Sequence, residues 1–149
     1  MYNPLFDVKI NSESGKITAT GNFDIEKTKG KLDASFTEIM LGEVLGEIYP
    51  EIITGNIKLD GGLNSKNMPE GNANIQIDSV RYKNNTTRDI SMSAEVLNDE
   101  AKVRVQSNDS ALHLDLNWNF EMPEKNSYSG NLKGQFDIDL FGLQLMNKP

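Results

Sequence analysis

Residues 111–120 read Ala-Leu-His-Leu-Asp-Leu-Asn-Trp-Asn-Phe, and apolar and polar residues alternate through this stretch. Even positions from 112 to 120 are apolar, and odd positions from 113 to 121 are polar. Because successive side chains of a strand point to opposite faces, the pattern predicts a β-strand with one apolar and one polar face. At about 3.3 Å per residue the strand would be roughly 33 Å long, well beyond the usual five or six residues. Its apolar face, which carries Trp118 and Phe120, has to be covered, and what covers it decides what the protein does.

The same alternation recurs along the chain with a shifted phase. It predicts further strands within residues 17–25, 57–59, 73–77, 90–96, 101–105 and 132–140. Turn signals such as Ser14-Gly15 and Asn98-Asp99 separate them, which favours an antiparallel meander. An apolar content of 37% suits a thin β structure with a large solvated face. We therefore predict a mainly β fold, built as one long antiparallel meander.

One segment departs from the period of two. Its apolar residues fall at helical spacing, and its glutamates lie between them; the apolar set is Phe36, Ile39, Met40, Val44, Leu45 and Ile48. The pattern predicts one amphipathic helix over about residues 37–49, which ends before Pro50 and packs on the sheet. A helix that binds a partner or a membrane is the alternative. Its acidic polar face argues against an anionic membrane.

Charge and composition exclude several classes of protein. The chain has 149 residues, enough for one domain, and a formal net charge of −7, which argues against nucleic acid as a partner. It has no cysteine, which rules out a disulfide scaffold and a thiolate metal site. Residues 1–7 have neither a basic nor an apolar region typical of a signal peptide. We expect a piece of a longer protein, although a full-length cytoplasmic protein would have the same sequence features.

The inventory of reactive side chains does not favour an enzyme. His113 is the only histidine, and the alternation assigns it to the polar face of its strand. Asp137 and Asp139 share a face and could serve as Ca²⁺ ligands or as a glycosidase pair, but their neighbours Lys133 and Gln135 favour a solvated strand. No nucleophile-elbow motif occurs. We expect no catalytic residue, no metal and no cofactor.

A group of short motifs follows the predicted helix. Residues 53–63 read Ile-Thr-Gly-Asn-Ile-Lys-Leu-Asp-Gly-Gly-Leu, residues 68–77 begin Met-Pro-Glu-Gly and continue as a strand, and residues 80–82 read Val-Arg-Tyr. This order resembles the recurring unit of the TamB proteins, the translocation and assembly modules among the AsmA-like proteins of Gram-negative envelopes. In that family a helix precedes hydrophobic-Ser/Thr-Gly-x-hydrophobic, Gly-x-Leu, a proline, a glycine and a segment with tyrosine. Residues 134–143 are similar to the strand that closes the family's unit.

The resemblance implies a fold and a function. It implies an open β-taco or roll whose concave apolar face forms a groove between the inner and outer membranes, for phospholipid transport, protein secretion and outer-membrane biogenesis. Residues 1–149 would be a single β-groove segment of a longer, repeat-like periplasmic protein anchored in the inner membrane. Its partners would be phospholipid acyl chains, neighbouring segments and an outer-membrane barrel protein. The residues expected to line the lipid groove are Leu112, Leu114, Leu116, Trp118, Phe120, Phe136, Ile138, Leu140, Ile75, Ile77, Ile90 and Met92.

Two other arrangements would also cover the apolar face. In a closed β-sandwich or barrel, acting as an adhesin, lectin or interaction module, the apolar faces would meet each other. An isolated fragment with a large apolar patch would also be expected to form a dimer that hides it.

Overall fold

The architecture is one sheet of nine β-strands that follow each other in chain order. The structure is a computed structural model and describes residues 4–41, 51–82, 85–124 and 127–139. The strands are β1 Leu5–Ser12, β2 Gly15–Asp24, β3 Lys29–Ile39, β4 Ile52–Leu63, β5 Pro69–Tyr82, β6 Asn85–Leu97, β7 Glu100–Asn108, β8 Leu112–Glu124 and β9 Ser127–Ile138. Each strand pairs antiparallel with its sequence neighbours. The prediction of a mainly β antiparallel meander is confirmed.

Tight turns fix the register of the hairpins. Asn98 and Asp99, between β6 and β7, have φ values of 53° and 65°. Two successive positive φ angles characterise the type I′ turn, whose twist matches that of the paired strands. Asparagine and aspartate tolerate this conformation better than other side chains do.

The sheet is open at both edges. β1 pairs only with β2, and β9 pairs only with β8, so the described residues do not close into a barrel or stack as two sheets. The sheet is at most weakly curled. The taco-like curvature implied by the family resemblance therefore stays a prediction.

The predicted helix over residues 37–49 is wrong at its beginning, because β3 runs as a strand up to Ile39. Phe36 pairs with Gly55 and Ile39 with Ile53, so three steps along β3 match two steps along β4. The extra residue is a β-bulge in which Glu38 has a φ of 53°. The bulge puts Phe36 and Ile39 on one sheet face, which explains the helix-like spacing of the two residues. Met40 has no regular structure and Leu41 is helical, whereas residues 42–49 of the predicted helix lie outside the described residues.

The sheet has almost no interior. Among the residues whose burial the structure describes, only Gly55, Thr87, Ala101 and Ser107 are buried, and Ala101 is the only one with an apolar side chain. A globular domain normally packs its large aliphatic and aromatic side chains out of water. The described part of the chain is therefore a single layer whose apolar side chains are left partly exposed.

Candidate functional site

The register aligns apolar residues into a row that crosses the whole sheet, with one residue from each strand. This central row consists of Phe6, Gly21, Leu32, Leu59, Ala73, Ala94, Val103, Trp118 and Leu132. Directly paired residues of neighbouring strands share a sheet face. The row therefore forms a continuous apolar band from one edge of the sheet to the other.

Two parallel rows extend this band along the strands. The next row consists of Val8, Ala19, Ala34, Ile57, Ile75, Met92, Val105, Leu116 and Gly134. The row beyond it consists of Ile10, Ile17, Phe36, Gly55, Ile77, Ile90, Ser107, Leu114 and Phe136. We call the surface made by these three rows the apolar face.

Ser107 is the one polar position in the three rows, and its hydroxyl is satisfied locally. Its Oγ accepts a hydrogen bond from the N–H of Asp109 at 3.3 Å and donates to the carbonyl of Arg88 at 3.5 Å. Only 1% of the residue is exposed. A buried hydroxyl with both partners present adds no polar contact to the surface above it.

The opposite face of the sheet is polar in the same regular way. The row between the first two apolar rows consists of Asp7, Thr20, Asp33, Lys58, Asn74, Ser93, Arg104, Asn117 and Lys133. Lys58 and Asp33 form a cross-strand ion pair at 3.5 Å, in which more than half of each side chain is exposed. Such exposed pairs contribute little to stability. This face is suited to water and needs no cover.

The apolar face is open to solvent. Trp118 is 48% exposed and Leu132 is 66% exposed, and Leu59, in the middle of the sheet, is still 40% exposed. Nine strands about 4.8 Å apart and three rows along them make a surface of roughly 700 Å². The largest apolar patch of a typical monomeric protein is about 300–600 Å². Within the described residues nothing covers this patch, and patches of this size usually mark a site that binds a ligand, a protein or a membrane.

A shallow depression of about 480 Å³ lies on the apolar face near one end of the strands. Its floor is a run of three glycines on adjacent strands, in which Gly61 pairs with both Gly30 and Gly71. Phe6, Phe23, Leu32, Leu59, Ala73 and Val96 surround them. Because glycine has no side chain, the backbone itself is accessible here. The depression would accept a flat or flexible apolar group.

The structure places most of the predicted groove residues on the apolar face. Leu114, Leu116 and Trp118 belong to the three rows, and Leu112 and Phe120 continue the same side of β8. The predicted residues of the two middle strands join them, namely Ile75, Ile77, Ile90 and Met92. The register sets Phe136 opposite Leu114 and Ile138 opposite Leu112, whereas Leu140 lies outside the described residues. That these residues line a lipid groove stays a prediction.

Sequence reasoning missed the contribution of β3 to the apolar face. Leu32, Ala34 and Phe36 lie on it and pair with residues of β2 and β4. They alternate with the polar residues Lys31, Asp33 and Ser35 (and Thr37 beyond), which is the same period-two signal as in β8. The signal was present, but the helical spacing that begins at Phe36 obscured it.

The residues considered for catalysis or metal binding lie on the solvated face. His113 is exposed and pairs with Asn108 on β7 and Asp137 on β9. Asp137 and Asp139 are exposed as well. Within the described residues, no group of three His, Cys, Asp or Glu side chains is placed to hold a metal ion. Nor does the described part contain a helix that is long and apolar enough to cross a bilayer.

The comparisons with known proteins do not assign a family. Neither the protein-family models nor the curated proteins nor the solved structures contain a match to this chain. The apolar face therefore provides the main basis for a functional proposal.

Proposed function

We propose that the chain is a segment of a TamB- or AsmA-like envelope protein and that its apolar face carries phospholipid acyl chains. The observation that supports this proposal is the three-row apolar face, which crosses nine strands and remains open to solvent. The proposal includes a periplasmic location, curling of the sheet into a taco in the longer protein, and contact with neighbouring segments and an outer-membrane barrel protein.

The dimensions of the apolar face suit an acyl chain. One leaflet of a bilayer has a hydrocarbon thickness of about 15 Å, half of the whole core. The three rows extend over roughly 17 Å along the strands, as five residues at about 3.3 Å each. Each CH₂ group that leaves water for such a surface gains about 0.8 kcal/mol. The attraction has no direction, so a chain could slide from one strand to the next with little change in free energy.

The continuity of the face also supports movement across the sheet. Apart from the satisfied hydroxyl of Ser107, no polar side chain interrupts the rows between β1 and β9. A charged residue in such a row would have to lose its water as an acyl chain passed, at a large cost in free energy. The head group would stay in water at the margin of the face.

A closed β-sandwich that acts as a binding or adhesion module is the competing proposal. It requires a second sheet to cover the apolar face, but all nine described strands belong to one sheet. The lipid proposal is favoured because it needs no additional layer. A layer of protein that packs on Trp118 and excludes water from it would instead support the sandwich.

Site-specific photocrosslinking distinguishes the two proposals. A photoreactive residue at Leu114 or Trp118 is placed on the apolar face, and one at Asp115, on the opposite face of the same strand, is the matched control. We expect adducts of phospholipid mass at the first two positions and none at Asp115, detected by mass spectrometry of the purified protein. Absence of lipid at all three positions, together with protection of Trp118 from a soluble quencher, would overturn the proposal in favour of a sandwich.

A further inference from the structure

β1 lies at one edge of the sheet that the described residues form, and its sequence is self-complementary. All eight residues of β1 are exposed, and β2 is its only neighbour among the described strands. Unpaired edges present backbone N–H and C=O groups that can accept another strand. We propose that β1 pairs antiparallel with β1 of a second copy of this chain and joins two sheets edge to edge. This inference concerns the edge of the sheet and does not depend on the proposed lipid function.

The hydrogen-bonding direction along β1 shows which residues are available. The carbonyl of Pro4 accepts a hydrogen bond from the N–H of Phe23, in line with the register between β1 and β2. Because this direction alternates along an antiparallel strand, the even-numbered residues of β1 bond to β2. The odd-numbered residues, among them Asp7 and Lys9, direct their backbone N–H and C=O groups to the outer edge.

One register of the two β1 strands sets apolar residues opposite apolar residues and opposite charges opposite each other. With Val8 opposite Val8 of the second copy, Asp7 lies opposite Lys9 twice, and Phe6 lies opposite Ile10 twice. Asp7 of one copy and Lys9 of the other then form a backbone hydrogen-bonded pair, because the backbone N–H and C=O groups of both residues point to the outer edge. Their side chains meet on the polar face, where within one copy they are 3.9 Å apart and more than half exposed. Opposite charges across a strand pair are favourable.

The neighbouring registers are unfavourable. A shift by one residue would place the apolar face of one copy beside the polar face of the other. A shift by two residues would set Asp7 against Asp7, or Lys9 against Lys9, which is repulsive. In the arrangement centred on Val8, the two-fold axis is perpendicular to the sheet. The apolar faces of both copies therefore lie on the same side of the joined sheet. The apolar face would then continue without a break from one copy into the other.

The strand at the opposite edge, β9, is less suited to pair with β9 of a second copy. β9 has glycine at position 134, where each of the other eight strands contributes a side chain to the same row, and a second glycine at position 130. Glycine weakens a strand and leaves no side chain for the cross-strand contact. We therefore assign the interface between copies to β1. One strand pair buries less than the standard interface of about 1,200–2,000 Å², so a dissociation constant in the micromolar range is expected.

A charge exchange tests this register in the full chain. Asp7→Lys and Lys9→Asp each place like charges opposite each other twice, so each should weaken the dimer roughly tenfold in sedimentation equilibrium. The double variant D7K/K9D restores both opposite-charge pairs and should recover the wild-type dissociation constant. Lys133→Asp, a charge change of the same kind on β9, should leave it unchanged. Rescue by the double variant is specific to this antiparallel register.

Disulfide formation provides a second test that does not depend on charge. The chain has no cysteine, so Val8→Cys introduces a single thiol per copy. Two residues in a non-hydrogen-bonded antiparallel pair have α-carbons about 4.5 Å apart, which a disulfide can span. Mild oxidation should crosslink this variant into a covalent dimer, whereas Leu132→Cys, on the opposite edge and more exposed, should not be crosslinked. A monomer at all concentrations, a dimer insensitive to both single charge changes, or crosslinking at Leu132 alone would overturn the proposal.

Discussion

Phe36 on β3 lies directly opposite Gly55 on β4, and the tip of its ring lies where a side chain of residue 55 would begin. A β-carbon at Gly55 would lie 2.9 Å from Cζ of Phe36 and would also collide with the backbone carbonyl of Gln76. Gly55 itself is buried. The absence of a side chain at position 55 therefore lets three strands pack closely at this point of the apolar face.

Gly55→Ala should destabilise the sheet by about 1–3 kcal/mol, because the added methyl group meets backbone as well as the aromatic ring. Equilibrium urea unfolding measures the change. The matched control is Asn56→Ala, one residue further along β4 and on the polar face, which should stay within about 0.5 kcal/mol of the wild type. Equal effects of the two substitutions would show that the close packing at Gly55 is unimportant.

The bulge in β3 depends on a hydrogen bond from the strand beside it. The N–H of Glu38 donates to Oγ1 of Thr54 at 3.0 Å. Thr54→Val keeps the shape of the side chain and removes this acceptor, so it should reduce the free energy of unfolding by about 1 kcal/mol. Thr20→Val makes the same chemical change at an exposed position of β2 and should be nearly neutral. If both variants unfold alike, the bulge is held by other contacts.

A charge in the middle of the apolar face should block lipid capture without unfolding the sheet. Leu59 pairs with Leu32 and Ala73 and is 40% exposed, so Leu59→Asp leaves the new carboxylate partly in water. An acyl chain over it would have to desolvate the charge, which should reduce the bound lipid at least about tenfold in native mass spectrometry. Asn74→Asp adds the same charge to the polar face of the adjacent strand and should bind lipid as the wild type does. Equal loss in both variants would point to a general effect of charge.

The turn between β2 and β3 gives one pH-dependent contribution to stability. The N–H of Lys27 donates to Oδ1 of Asp24 at 3.0 Å, and this hydrogen bond lowers the pKa of Asp24 below its usual value of 3.8. Because the pKa is lower in the folded state, the contribution is complete above about pH 3.8 and is lost as the pH falls through the folded pKa. Asp24→Asn should therefore be less stable than the wild type at neutral pH, and the difference should shrink in acid. A difference that stays constant down to about pH 2 would contradict this assignment.

The sequence predicted most strands of the sheet because it repeats one strong signal. Alternation alone identifies the two faces of β8, and it places Leu116 and Asp115 on opposite sides as the structure does. Nothing in the alternation reveals the register between strands. The structure shows that Val103 lies opposite Trp118 and that Ala73 lies opposite Leu59. This pairing joins the apolar sides of separate strands into one continuous surface.

The bulge in β3 explains why the sequence pattern predicts a helix there. A bulge adds one residue to a strand, so a period of two locally becomes a spacing of three, which is also the spacing of a helix. At Phe36 and Ile39 this coincidence concealed β3. The positive φ of Glu38 marks the position of the bulge, but glutamate is not a residue that signals such a conformation in a sequence.

The single tryptophan of the chain can report directly on whether acyl chains contact the apolar face. Trp118 lies on that face and is 48% exposed, with its ring centroid 5.2 Å from that of Phe120. We predict that phospholipid with bromine on its acyl chains quenches the fluorescence of Trp118 strongly. A variant that combines Trp118→Phe with Asn117→Trp moves the indole to the polar face and should not be quenched. Equal quenching of the two proteins, or no quenching of Trp118, would contradict the proposal that lipid covers this face.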